Sequence, residues 1–157
     1  ARHELGASPF GGDKGIFAFG YSNVVHSHQN KSNIVSNTGV IGSDQTGVGT
    51  ARGGLAAAQF GDRCIFGYGS GGGPSNIVSN TGVVASDVSL VGTGRIGVAG
   101  APYGGDKGLF AFGANGTTYY AISNLVSTSG VIASDTAAVS GVTIRAQVNG
   151  AGYSISA

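Results

Sequence analysis

One stretch of thirteen residues is written three times in this chain: SNIVSNTGVIGSD (32–44), SNIVSNTGVVASD (75–87) and SNLVSTSGVIASD (123–135). Each copy is the later half of a longer unit. Ahead of them lie FGGDKGIFAFG (10–20), FGDRCIFGYG (60–69) and YGGDKGLFAFG (103–113). Ahead of those stands an arginine: Arg2, Arg52, Arg95 and, once more, Arg145, in steps of 50, 43 and 50 residues. A period of this length with strand chemistry is the signature of a propeller or a repeat array. One such unit cannot bury both of its own faces. Stacked copies bury each other, so each carries the same core letters.

Composition agrees with many short strands. Of 157 residues 31 are glycine, and tryptophan and methionine are absent. The glycines have no collagen period and are interleaved with β-branched and aromatic residues, which favours strands and tight turns. The unit reads as four strands, placed in the second copy near 55–60, 64–69, 76–80 and 83–86, with almost no helix. The turn after the first strand carries Asp13 and Lys14, Asp62 and Arg63, or Asp106 and Lys107, because Asp and Gly suit tight turns. The second strand is apolar on both faces: Ile16 and Ala18 on one, Phe17 and Phe19 on the other. Such a strand must be covered on both sides. Phe17, Phe66 and Phe110 are therefore expected in the core, as are Ile16, Ile65 and Leu109. The chain divides into repeats at 1–50, 51–93 and 94–143, with 144–157 a partial repeat. Asn149 and Gly150, between two alternating runs, read as a hairpin turn in that tail.

The fold expected is all-β: kelch-like propeller blades, three repeats plus a partial fourth. A β-trefoil is the alternative, since three repeats of this size also fill that fold. The pattern resembles the kelch repeat in its arginine, small apolar residues, turn and aromatic-glycine strand, although it lacks the kelch tryptophan and strict double glycine. GGDKGIFAFG, SNIVSNTGVIGSD and the glycine-rich run to GGLAAAQF also resemble tandem repeats of structural and fibre-like proteins of marine tailed bacteriophages, notably those of cyanobacteria. The resemblance covers roughly residues 1–145. It implies a virion or host-surface protein, extracellular, and transfers no catalytic residue.

Charge and motifs bound the function further. Charged residues make up 10% and the formal net charge is +1, so there is no basic field for nucleic acid. So few charges suggest a surface covered in an assembly. No stretch reads as a signal peptide, and no apolar run is long enough to span a membrane. The single cysteine, Cys64, occupies the place of Gly15 and Gly108, a tight site, and reads as a small buried residue and not a nucleophile. Gly69 to Pro74 lacks the Lys-Ser/Thr of a phosphate loop. No cofactor is implied, and no catalytic constellation is evident.

Length variation is concentrated between the second and third strands. From the turn aspartate to the next repeated serine is 19, 13 and 17 residues, while arginine to aspartate stays at 11, 10 and 11. Strand direction alternates within a unit, so these loops emerge on one face. They carry Tyr21, Asn23, His26, Asn115, Tyr119 and Tyr120, types suited to sugar or protein contacts. Free drift of unpacked loops, or assembly contacts, explain the same variation more simply. His26 and His28 stand at i and i+2, a spacing that on a strand lets two imidazoles share an ion. An exposed polar loop is the plainer reading, and no third ligand is evident.

The function expected is a non-enzymatic virion structural or appendage protein, of fibre or decoration type, presenting loops for host-surface attachment or assembly. A lectin-like carbohydrate-binding module and a cellular kelch-type interaction domain are the alternatives. The partners expected are other copies of itself or other virion proteins, and a host surface glycan or protein. With three and a half blades the chain is not expected to close alone. Two copies would make roughly seven blades, within the propeller range, or the open edge would dock on another virion protein.

Overall fold

The computed structural model describes residues 1–151, and the chain is all-β, with no helix among them. Each repeat forms its own antiparallel three-stranded sheet. Unit 1 has β1 (Gly6–Phe10), β2 (Lys14–Ala18) and β5 (Ser32–Val35), with β2 central. Unit 2 has β6 (Ala56–Phe60), β7 (Arg63–Gly67) and β8 (Asn76–Val78). Unit 3 has β9 (Ala99–Tyr103), β10 (Lys107–Ala111) and β13 (Ser123–Val126). Two small hairpins stand outside the sheets: β3 (Tyr21–Ser22) with β4 (Ser27–His28), and β11 (Ala114–Asn115) with β12 (Thr118–Tyr119).

The expected fourth strand is not a strand. The segment after the Thr-Gly turn meets the third strand at two isolated bridges per unit, Val78 with Val84 and Ser75 with Val88 in unit 2. Between them the Ala85 N–H donates to the Ile77 carbonyl, and the Asn76 side chain takes the Ala85 carbonyl at 3.0 Å. A side chain occupies the place of a ladder bond, so regular pairing stops.

The three sheets stack in a row. β1 packs on β6 and β7, and β6 packs on β9 and β10, so unit 2 stands between the other two. No sheet closes on itself or on another. The barrel that a β-trefoil requires is therefore not formed by the described residues. Contact between units is close because glycines lie where rings arrive. Phe66 lies against Gly6, where a Cβ would stand 2.9 Å from the ring, and Phe110 lies against Gly67 in the same way. Gly82 (φ +89) faces Phe10 and Ile34 of unit 1, and Gly130 (φ +86) faces Phe60 and Ile77 of unit 2. These positions need glycine both for their left-handed backbone and for the ring above them.

The core follows from this stacking. Phe66, Phe110, Ile16 and Ile65 are buried as expected. Phe17 is not: it is 37% exposed, and no described unit packs on it as unit 1 packs on its counterpart Phe66 through Gly6. Gly39, the counterpart of Gly82, has nothing within 4 Å of its Cβ position. At the other end Leu109 is only half-buried, and Tyr103 and Leu125 are exposed. Among the described residues the stack is open at both ends.

The tail also departs from the expected hairpin. Asn149 and Gly150 make no turn. Gly150 lies against the Gly100 backbone as Gly100 lies against that of Ala57, with the Cβ position 2.2 Å from the carbonyl oxygen in both cases. Residues 145–151 thus continue the column of first strands. The second run of the expected hairpin, 153–156, lies outside the described residues.

Candidate functional site

The repeated polar residues form a relay that holds each unit together. Arg52 is fully buried, and its Nε donates to the Tyr68 carbonyl at 3.0 Å. Its other nitrogens donate to the Thr50 carbonyl at 3.1 Å and the Asn76 Oδ1 at 2.7 Å. The Asn76 amide passes to the Asp87 carboxylate at 2.9 Å, which closes the circuit by accepting from the Thr50 N–H and hydroxyl. Arg95, Asn124, Asp135 and Thr93 repeat it bond for bond, ending on the Phe112 carbonyl. Unit 1 has Arg2, Asn33 and Asp44, with Lys31 on the carboxylate in place of the threonine.

The same arginine ties one unit to the one before. The Arg52 guanidinium lies 4.0 Å over the Phe19 ring and that of Arg95 4.3 Å over Tyr68, each ring belonging to the preceding unit. Cation–π contact of this kind strengthens when water is excluded. Phe19, Tyr68 and Phe112 hold φ between +62 and +65, an uncommon backbone for an aromatic residue. That twist turns the carbonyl to an arginine, and the following glycine N–H donates to the arginine carbonyl of the next unit: Gly20 to Arg52, Gly69 to Arg95, Gly113 to Arg145. Every buried side-chain polar atom of the described residues finds a partner. The recurring Asn and Asp of the thirteen-residue stretch are thus structural, with Asn76 and Asn124 buried within their strands. The buried role of arginine was not read, although its exact recurrence with Asn and Asp marked it.

Burial pushes the Asp87 carboxyl up. The Thr50 hydroxyl, the Asn76 amide, the Thr50 N–H and Arg52 pull it further down, so the net is below the ordinary value. Asp135 is lowered in the same way, and Asp44 through Asn33 first and Lys31 next. Burial draws Arg52 down to about 10, so it stays a cation at neutral pH. A carboxyl whose folded pKa is depressed contributes stability that is present above its unfolded value, near 4. That contribution is lost as pH falls through the lower folded value. Acid titration monitored by circular dichroism should therefore leave the fold intact down to about pH 4 and unfold it below that. Replacing Asp87 and Asp135 together with asparagine should flatten the acid limb, and an unchanged limb would remove the relay from the account.

The loops form a second constellation. Both hairpins meet the short glycine loop 70–74: the His28 Nε2 stands 3.3 Å from the Ser70 Oγ, and Asn115 shares a hollow with Ser70 and Gly71. Between the hairpins lies a cleft of about 630 Å³, whose lining includes Glu4, His28, Ser70, Tyr119, Gln147 and Asn149. Its floor is bare backbone at Gly53, Gly54 and Gly97. A Cβ at Gly53 would meet the Glu4 Oε2 at 2.8 Å and His28 at 3.2 Å, so glycine there leaves room for both side chains.

The residues expected in a site divide. Tyr119 is exposed and lines the cleft, and Asn115 lines a smaller adjoining hollow of about 280 Å³. Tyr120 is half-buried, and its N–H closes on the Gly113 carbonyl. Tyr21 is wedged between the rings of His3 and His28, at 5.4 and 5.3 Å, and Asn23 meets the His3 Nε2 at 3.2 Å. These two brace the first hairpin and do not line the cleft. His26 sits at the hairpin turn with φ +49, outside β4, so the strand alternation invoked for a shared ion with His28 does not hold. The His28 Nε2 is instead 3.3 Å from the Ser70 Oγ. Among the described residues no three His, Cys, Asp or Glu side chains gather as a metal site. Cys64 is buried, and burial pushes its thiol up to about 12. Glu4, His28 and Gln147 were not foreseen as cleft residues. The available signal was that Glu4 and Gln147 replace glycine at the repeat position of Gly54 and Gly97. No protein-family model and no curated protein matches this chain.

Proposed function

We propose that this chain is a non-enzymatic virion structural or appendage protein, a fan of kelch-like propeller blades that presents its hairpin face for attachment. The observation that carries the reading is the open stack: among the described residues, unit-to-unit faces are left uncovered at both ends while two hairpins stand outside the sheets. Repeated stacking faces are head-to-tail surfaces, and such surfaces build rings or extended arrays. The close first-strand column and the face-to-face sheets are the arrangement expected of blades about an axis. The likeness of the repeat to those of marine phage structural proteins supports the virion setting. Against an enzyme stand the inert Cys64 and the state of Ser70, whose hydroxyl already serves the Gly53 N–H and carbonyl as a loop clamp. The test is imaging and mass spectrometry of purified particles. Symmetric, stoichiometric copies of the chain, with end faces covered by neighbours, are the expected result, and its absence from particles would refute the virion role. A lectin-like role is the second reading, favoured by the cleft.

A further inference from the structure

We propose that the cleft between the two hairpins binds a neutral carbohydrate, held by Glu4, Gln147 and Tyr119; this rests on the attachment reading above and names its ligand class. The argument begins with a ladder of four residues at the same repeat position. Glu4, Gly54, Gly97 and Gln147 all have left-handed backbones, with φ of 56, 66, 63 and 56. Each later N–H donates to the carbonyl before it: Gly54 to Glu4 at 3.0 Å, Gly97 to Gly54 and Gln147 to Gly97 at 2.9 Å. Glycine adopts this conformation freely, and a residue with a Cβ adopts it at a cost. The two middle positions conform, since a Cβ at Gly54 would press Ile96 at 3.1 Å and one at Gly97 the Gln147 nitrogen at 2.8 Å. The two outer positions do not. The fold would be served better by glycine at both, yet they carry long polar side chains that line the cleft. Strain held against the interest of the fold points to a task for those side chains.

The chemistry of the lining selects the ligand. The floor offers no free donors, because its N–H groups are spent along the ladder and on the Ser70 Oγ. A ligand's polar groups must be met by side chains: a carboxylate that accepts, a carboxamide that does both, and a phenol that does both. Tyr119 also exposes its ring, and Leu5, Leu55 and Val98 make the wall apolar. Hydroxyls on one edge and a C–H face on the other are what a sugar brings to such a wall. Among the described residues Glu4 is the only formally charged one in the lining, and it repels anions, which disfavours acidic glycans. The volume lies within the ordinary range of ligand sites, roughly 300–1,000 Å³.

The experiment is a glycan array probed with the purified chain, followed by calorimetric titration of the best neutral oligosaccharide. Binding to a subset of neutral glycans is expected. Tyr119→Ala and Glu4→Gly should each weaken it about tenfold or more, the loss of one good contact. Glu4→Gly has a second readout: relief of the left-handed strain should raise the thermal midpoint while binding falls. Undiminished binding by Glu4→Gly, or a lowered midpoint, would overturn the assignment by making Glu4 indifferent or merely structural. Retention of amine-bearing glycans alone would overturn the neutral class. A blank array with the chain present in particles would sink the cleft inference and leave the attachment scaffold standing.

Discussion

Arg52→Ala is expected to destabilise the chain by about 3–5 kcal/mol, because it strands buried hydrogen-bond acceptors at about 1–3 kcal/mol each. The guanidinium has no exposed surface and makes three hydrogen bonds. Its loss leaves the Tyr68 carbonyl and the Asn76 Oδ1 buried without a donor, and Asp87 without its nearby cation. It also uncovers Phe19, since the guanidinium lies on that ring. Lysine should not rescue the variant, because a single ammonium cannot reproduce the planar fork that serves carbonyl, carboxamide and ring together. Arg145 provides the internal control. It lies over Phe112 at 5.2 Å, but it is exposed, and among the described residues its one side-chain hydrogen bond is a 3.3 Å contact with the Thr143 carbonyl. Arg145→Ala should therefore cost about 1 kcal/mol or less, as exposed charges do. Urea denaturation of the two variants decides the matter, and equal midpoints for Arg52→Ala and Arg145→Ala would remove the relay as the element that binds each unit.

How much of this was legible follows from the kind of information each residue carries. Strand positions and the burial of Ile16, Ile65, Phe66 and Phe110 came from repetition and alternation, which are intrinsic to the letters. Phe17 was misplaced because repetition makes all copies equivalent, whereas a stack has ends; its letters match Phe66, but its environment does not. Leu109 fails at the opposite end for the same reason. The fourth strand was misread because VVASD has strand composition, while its pairing partner is partly the Asn76 side chain, which no propensity encodes. At Asn149 and Gly150 a local turn preference lost to register. The alignment of Arg145, Gln147, Val148 and Gly150 with Arg95, Gly97, Val98 and Gly100 already placed them in the first-strand column. The cleft was half legible. Loop length located its walls and one of its residues, Tyr119. The ladder supplied Glu4 and Gln147, and their meaning depends on backbone angles that only the fold discloses.

The second large effect concerns the ends of the stack. Phe66→Ala should cost about 3–5 kcal/mol, the range for deleting a buried aromatic ring. The ring is fully buried, meets Phe19 edge-on at 5.4 Å and rests on the backbone of Gly6. Backbone on one side and a relay-bound ring on the other leave little freedom to collapse into the void. Phe17 occupies the same place in unit 1 with one side open, so Phe17→Ala in the isolated chain should cost only about 1–2 kcal/mol, part of the full burial value. The difference between the two is a measure of what covers the first face. If another chain docks there, burial of Phe17 becomes part of that association, and stability rises with protein concentration by mass action. Sedimentation and thermal melts over a wide concentration range should then show wild-type association and a concentration-dependent midpoint, both weakened by Phe17→Ala. A chain that stays monomeric throughout, with Phe17→Ala as costly as Phe66→Ala, would mean that the first face is covered from within the same chain, and the open stack would have to be abandoned.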